Sequence, residues 1–233
     1  MSSQPTPALD YFQTVSLVLS SGASVPETSF YPALAQLLAC VGQSLKPKVA
    51  CIINPANRGA GIPDGGFYTA DQLRKTPDRS QPPPELLPAR GVMEVKPPSH
   101  DLQSLLESEQ LAKYLRRYGL VLATNLRAFA LVQADPDGNP VVLERCELAP
   151  DDKSFRDALA HPQKLAKEQG PILEEYLNRV LTHNAPLKTP QDVARLLSSY
   201  AREAKARIEN GDLETLTAFK TALENALGLH FDG

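Results

Sequence analysis

The sequence predicts an α/β fold, a mixed central sheet flanked by helices and followed by a helical C-terminal region. Three observations lead there. Gly91 to Thr124 reads as strand, helix, strand, and a strand that returns after a helix lies parallel to the first through a right-handed crossover. The two strands around Asp135-Pro136-Asp137-Gly138-Asn139 are joined by hairpin-turn residues, which makes them antiparallel. Beyond about Pro150 only helical periods occur.

In chain order, Glu27 to Leu45 carries Tyr31, Leu34, Leu37, Leu38, Val41 and Leu45 at helical spacing, with Pro26 beside the expected start. Lys48 to Asn54 and Gly61 to Thr69 are predicted as short strands around a Gly-rich turn. Lys75 to Pro88, rich in Pro, Gln, Arg and Asp, is expected to be an exposed loop. Within it Pro82-Pro83-Pro84 reads as a stiff surface segment rather than a polyproline ligand. Gly91 to Lys96 is the next strand, closed by Pro97-Pro98, which cannot continue a ladder.

Asp101 to Tyr118 is expected as one helix, with Leu102, Leu105, Leu106, Leu111, Leu115 and Tyr118 along one stripe and Gly119 at its end. Strands follow at Leu120 to Thr124, Ala128 to Ala134 and Pro140 to Glu147. Three helical stripes finish the chain: Ile172 to Val180, Val193 to Ile208 and Leu213 to Leu227. Thr189-Pro190 supplies a cap and a first-turn proline for the second of them. The expected division is residues 1–150 as an α/β domain and 151–233 as a helical connector or subdomain.

Composition narrows the function classes. Twenty-four Lys and Arg against 27 Asp and Glu leave a net charge of −3, so contact with a polyanion has to come from a local patch. Cys40, Cys51 and Cys146 include no Cys-x-x-Cys pair, which argues against a disulfide framework and against a zinc site. A reduced, cytoplasmic setting is expected. The first residues lack the basic and apolar regions of a signal peptide, and the most apolar stretch, Leu120 to Val132, is interrupted by Asn125 and Arg127.

The chemistry-bearing pattern is Glu94-Val95-Lys96 with Asp64 upstream. Side chains two apart on a strand share a face, roughly 6.5 to 7 Å apart. Glu94 and Lys96 should therefore face one pocket while Val95 turns to the core. A return strand can bring Asp64 beside Glu94. Two carboxylates then offer the hard oxygen ligands Mg²⁺ prefers, with the Val95 carbonyl as a third. Lysine beside such an ion is a compact charge able to orient water and stabilise developing negative charge.

These residues resemble the PD-(D/E)XK nucleases of the restriction-endonuclease-like fold. Pro63-Asp64 matches the first half of the family motif and Glu94-Val95-Lys96 the second, and the order helix, three strands, helix, strand matches its core. Glu27 lies in the first helix, where many members place a further acid near the metal. Gln110 and Tyr114 match the Gln-x-x-x-Tyr pattern of the RecB-like branch. The stretch from Gln110 to Val132 also looks like the N-terminal nuclease region of single-chain restriction-modification enzymes, which join a nuclease to an adenine methyltransferase through helices.

The resemblance implies a Mg²⁺-dependent DNA endonuclease of a restriction-modification system, with Mn²⁺ as a substitute and 5′-phosphate products. Asp64, Glu94, Val95 and Glu27 would serve the metal, and Lys96 and Gln110 the water. DNA is the implied partner, with a methyltransferase or target-recognition domain beyond residue 233. The chain departs from those enzymes in lacking Asn-Pro-Pro-Tyr and a Gly-rich S-adenosylmethionine motif, which leaves a fragment or a stand-alone nuclease. The alternative from another class is a catalytically inactive nuclease-like module that binds nucleic acid or protein. A further one is a helical assembly protein acting through the tail after Asp151. Lys113, Arg116, Arg117, Arg58 and Arg127 read equally as phosphate contacts or as ordinary surface charge, and no histidine is assigned a role.

Overall fold

Among the described residues six strands form one sheet whose spatial order follows the chain, β1 (Val49–Ile53), β2 (Gly65–Thr69), β3 (Val92–Val95), β4 (Leu120–Thr124), β5 (Ala128–Ala134) and β6 (Pro140–Glu147). The coordinates are a computed structural model that describes residues 6–21, 27–74, 86–183 and 190–210, with 217, 220 and 221. Every neighbouring pair is antiparallel except β3 and β4, which run parallel. The mixed sheet flanked by helices is thus the fold class the sequence predicts, and its single parallel pair is the one spanned by the crossover.

That crossover is two helices instead of one, α4 (Leu102–Leu106) and α5 (Glu109–Tyr118); α3 is the short turn Ala70–Arg74. Asp101 caps α4, accepting from the Ser104 N–H, and Ser108 restarts the chain as a new cap, accepting from the Leu111 N–H at 3.2 Å. The apolar spacing runs through the break, so only the cap marks it. Gly119 closes α5 at φ 77°, a left-handed cap that disfavours other residues.

The other face is covered by α1 (Pro7–Ser20), α2 (Tyr31–Ser44), α6 (Asp152–Leu159) and α7 (Pro162–Thr182). Helix α1 was not anticipated. It begins on a Thr6 cap with Pro7 in its first turn, and Ala8, Tyr11, Phe12 and Val15 form its buried stripe. It meets α7 closely, since a Cβ on Gly170 would lie 3.1 Å from that of Ala8. Helix α6 starts on Asp151, which accepts from the Ser154 N–H at 2.7 Å. Arg179 of α7 is buried and donates through Nε to Glu144 of β6 at 2.6 Å, tying the helix to the edge strand. Glu27–Phe30, expected as the first turn of α2, is a 3-10 turn preceding it.

Contacts divide the chain into two compact units, residues 1–185 and 186–233, so α6 and α7 belong with the sheet in the first. The second contains α8 (Pro190–Asn210), which leaves Val193, Leu197, Tyr200 and Ile208 exposed. The stripe from Leu213 to Leu227, and the loop with Pro82-Pro83-Pro84, lie outside the described residues. Among the described residues no helix is long and apolar enough to cross a membrane. Cys40, Cys51 and Cys146 are not joined in disulfides.

Candidate active site

Strand alternation decides which β3 side chains meet. Met93 and Val95 enter the core beneath α1, α2, α6 and α7, while Val92 packs toward α4 and α5 and Glu94 points the same way. The β2–β3 ladder is short, pairing only Gly65 with Met93 and Gly66 with Val92. Beyond it the Val95 N–H has no backbone acceptor on β2, and the Asp64 carboxylate takes that place, with Oδ2 accepting at 2.7 Å. The Asp64 carbonyl still accepts from the Asn54 N–H at 3.0 Å. Asp64 therefore stands beside the C-terminal end of β3 because the ladder stops one residue short of it.

Lys96 continues the chain there, its N–H donating to the Thr124 carbonyl at 2.8 Å before Pro97-Pro98 ends the pairing. Its ammonium reaches three oxygens: Glu94 Oε1 at 3.1 Å, Glu27 Oε2 at 3.2 Å and the Val95 carbonyl at 3.0 Å. Glu27, at the start of the 3-10 turn, thus joins the pair from β3. Tyr31, one turn further along, donates to Asp64 Oδ1 at 2.5 Å and lies 3.2 Å from Glu27 Oε1. Three carboxylates, one ammonium and one phenol form a continuous network at this end of the sheet.

The electrostatics follow from crowding. Burial, then the Asp64 charge, pushes Glu94 up to about 7 against the opposing pull of Lys96. Burial works against the Lys96 ammonium, yet Glu94 and Glu27 together outweigh it and hold its pKa above the ordinary lysine value. Lys96 is a cation here at neutral pH. The Tyr31 hydroxyl is held far above its usual range by burial and by Asp64.

Gln110 and Tyr114 act on the loop before Asp64. Tyr114 donates to the Ile62 carbonyl at 2.8 Å and Gln110 to the Ala60 carbonyl at 3.3 Å. Gly61 between them has φ 103°, and a Cβ there would come within 3.1 Å of Gln110 Nε2. Gln110 has no hydrogen bond to the acids or to Lys96, and its visible work is to hold the backbone that presents Asp64. Arg117 extends this seam, donating to the Arg58 carbonyl at 2.5 Å, while Lys113 and Arg116 are exposed. Arg127 is occupied elsewhere, donating to the carbonyls of Pro98, Ala149 and Pro150 and so clipping together the loops after β3 and β6.

Asp64, Glu94, Glu27 and the Val95 carbonyl are hard oxygen donors of the kind divalent magnesium and manganese take. Three carboxylates against one ammonium leave an excess of negative charge that a divalent cation would balance. The donor set fits such an ion. Among the described residues no group of three His, Cys, Asp or Glu side chains already converges on one point. Lys96 occupies one acceptor direction of Glu94 Oε1 and of the Val95 carbonyl, so a cation bound there would compete with its ammonium for these oxygens.

Tyr31 is the member of the network that sequence reasoning missed. An aromatic residue at helical spacing reads as core, and the signal lay in its position four residues after Glu27, on the same helical face. No protein-family model matches the chain, and no curated protein matches it. Among solved structures it is similar to one described as a cryo-EM structure of a DrdV–DNA complex, with 18% sequence identity and a TM-score of 0.46. That likeness covers 78% of this chain, which spans 14% of the other chain's length. A likeness of this size leaves the functional reading to the residues themselves.

Proposed function

We propose that this chain is a metal-dependent DNA endonuclease module that hydrolyses phosphodiester bonds with Mg²⁺, or with Mn²⁺ in its place, as part of a restriction-modification system. The observation that carries it is the Lys96 ammonium resting on Glu94 and Glu27 beside Asp64, with the PD-(D/E)XK motif residues held together by β3 and its neighbours. Asp64 and Glu94, with the Val95 carbonyl and Glu27, would hold the metal. When bound, it supplies neutralisation of phosphoryl charge and a polarised water.

Lys96 would leave Glu94 Oε1 and turn to the attacking water and the phosphoryl oxygens. With its pKa raised it acts as a charged donor rather than as a base. Gln110 and Tyr114 would keep the Asp64 loop in register through the carbonyls of Ala60 and Ile62. Exposed Lys113 and Arg116 on α5 would offer cations to DNA phosphates. The resemblance to single-chain restriction-modification enzymes supports a 5′-phosphate product and a methyltransferase or target-recognition partner.

The test is nicking of supercoiled plasmid in Mg²⁺ and Mn²⁺ by the wild type, Glu94→Ala and Lys96→Met. The reading expects cation-dependent nicking by the wild type and a loss of at least about a hundredfold in each variant. Cleavage that persists in both would contradict it. A second reading, an inactive nuclease-like binding module, is favoured by the acids being satisfied internally by Lys96, Tyr31 and the Val95 N–H. DNA binding without nicking in either cation would select it.

A further inference from the structure

We propose that Tyr31 is a positioning residue of this centre, whose hydroxyl fixes the Asp64 carboxylate in the orientation that offers it to a divalent cation. This rests on the metal-dependent reading above. Asp64 lies one residue before β2, just outside the ladder, and its side chain is held by one donor on each oxygen, the Val95 N–H at 2.7 Å and the Tyr31 hydroxyl at 2.5 Å. The β3 donor alone would let the carboxylate pivot about Oδ2. The second donor removes that freedom. Each carboxylate oxygen has two acceptor directions, so both remain able to meet a cation after these bonds are made.

The helix supplies the rigidity. Tyr31 is the first residue of α2 and is 8% exposed, a member of the core on that side of the sheet whose hydroxyl bonds to the acids. Its single proton goes mainly to Asp64, the nearer of two acceptors, while the 3.2 Å approach to Glu27 Oε1 sets the spacing of the helix acid from the strand acid. Phenylalanine would fill the same volume, so packing does not account for the hydroxyl. The hydroxyl is partly buried, and the partners it meets are these two acids.

The experiment is calorimetric titration of Mn²⁺ alone into the full chain, wild type and Tyr31→Phe, with the Tm of both measured in EDTA. The expected result is an affinity about tenfold weaker in the variant, as for loss of one hydrogen bond to a charged ligand group, with Tm within about 4 °C of wild type. Equal affinities would overturn the positioning role and leave the metal reading standing. Weaker binding with a Tm fall well beyond that margin would mark the hydroxyl as structural and also overturn it. Absence of Mn²⁺ binding by the wild type would overturn both.

Discussion

The two faces of the sheet are built to different scales. Toward α1, α2, α6 and α7 the strands present Phe67, Met93, Leu122, Phe129 and Leu131, and toward α4 and α5 they present Val92, Val121, Ala123, Ala128, Ala130 and Val132. Large side chains beneath four helices form the thick layer that supplies most of the buried apolar area. Small ones let α5 lie close enough for Tyr114 and Gln110 to grip the Asp64 loop, and the same face carries Glu94. The difference separates a face that supplies the bulk of the core from a face that carries Glu94 and holds the Asp64 loop, with Glu27 and Tyr31 reaching the same site from the α2 side.

Truncation on the thick face should give the largest effect on stability. Phe129 is 1% exposed and its ring centroid lies 6.4 Å from that of Tyr176. Phe129→Ala is expected to cost about 4 kcal/mol in urea unfolding, while nicking per folded molecule is retained in the cold. Loss of nicking with intact fold would break the division of labour.

Glu94 gives the next effect, through pH. Its folded pKa of about 7 lies above the ordinary 4.5, so between those values the native state holds a proton that the unfolded chain has released. Stability therefore falls as pH rises from about 4.5 to about 7, by on the order of 3 kcal/mol, and stays lower above that. Glu94→Gln has no such carboxyl, so in EDTA its stability should change less than the wild type's over this range. Parallel pH profiles would show that the acid cluster carries no net strain.

Overpacking the thin face comes third. Ala130→Leu places a larger side chain under α5 and should cost about 2 kcal/mol. It should also reduce nicking more than Phe129→Ala does, because lifting α5 loosens the loop before Asp64. The smallest effect is expected at the break between α4 and α5. Ser108→Ala removes the cap that accepts from Leu111 and should cost about 1 kcal/mol, read as a shifted urea midpoint.

Much of this arrangement was legible in the sequence because periodicity and turn chemistry are local. The β5–β6 hairpin, the β3 motif and the parallel return to β4 follow from alternation, Asp-Gly turn residues and the helix between strands. Helix α1 carries its own readable stripe at Ala8, Tyr11, Phe12 and Val15, but what gives it weight is α7, far along the chain. The division of Asp101 to Tyr118 was hidden because the apolar spacing continues across Ser108. At the site, alternation foretold that Glu94 and Lys96 would meet. The role of Tyr31 was not legible, since nothing in the spacing says which aromatic hydroxyl will meet a strand acid. Gln110 was expected beside the acids, yet Gly61 with its left-handed backbone brings the Ala60 carbonyl to it first.

The most direct measurement is calorimetric binding of Mg²⁺ and Mn²⁺ to the wild type and to Glu94→Ala in the absence of DNA. The account predicts saturable binding by the wild type, tighter for Mn²⁺, and its loss in the variant while the fold is kept. Binding that is indifferent to Glu94, or absent from the wild type in both cations, would contradict it.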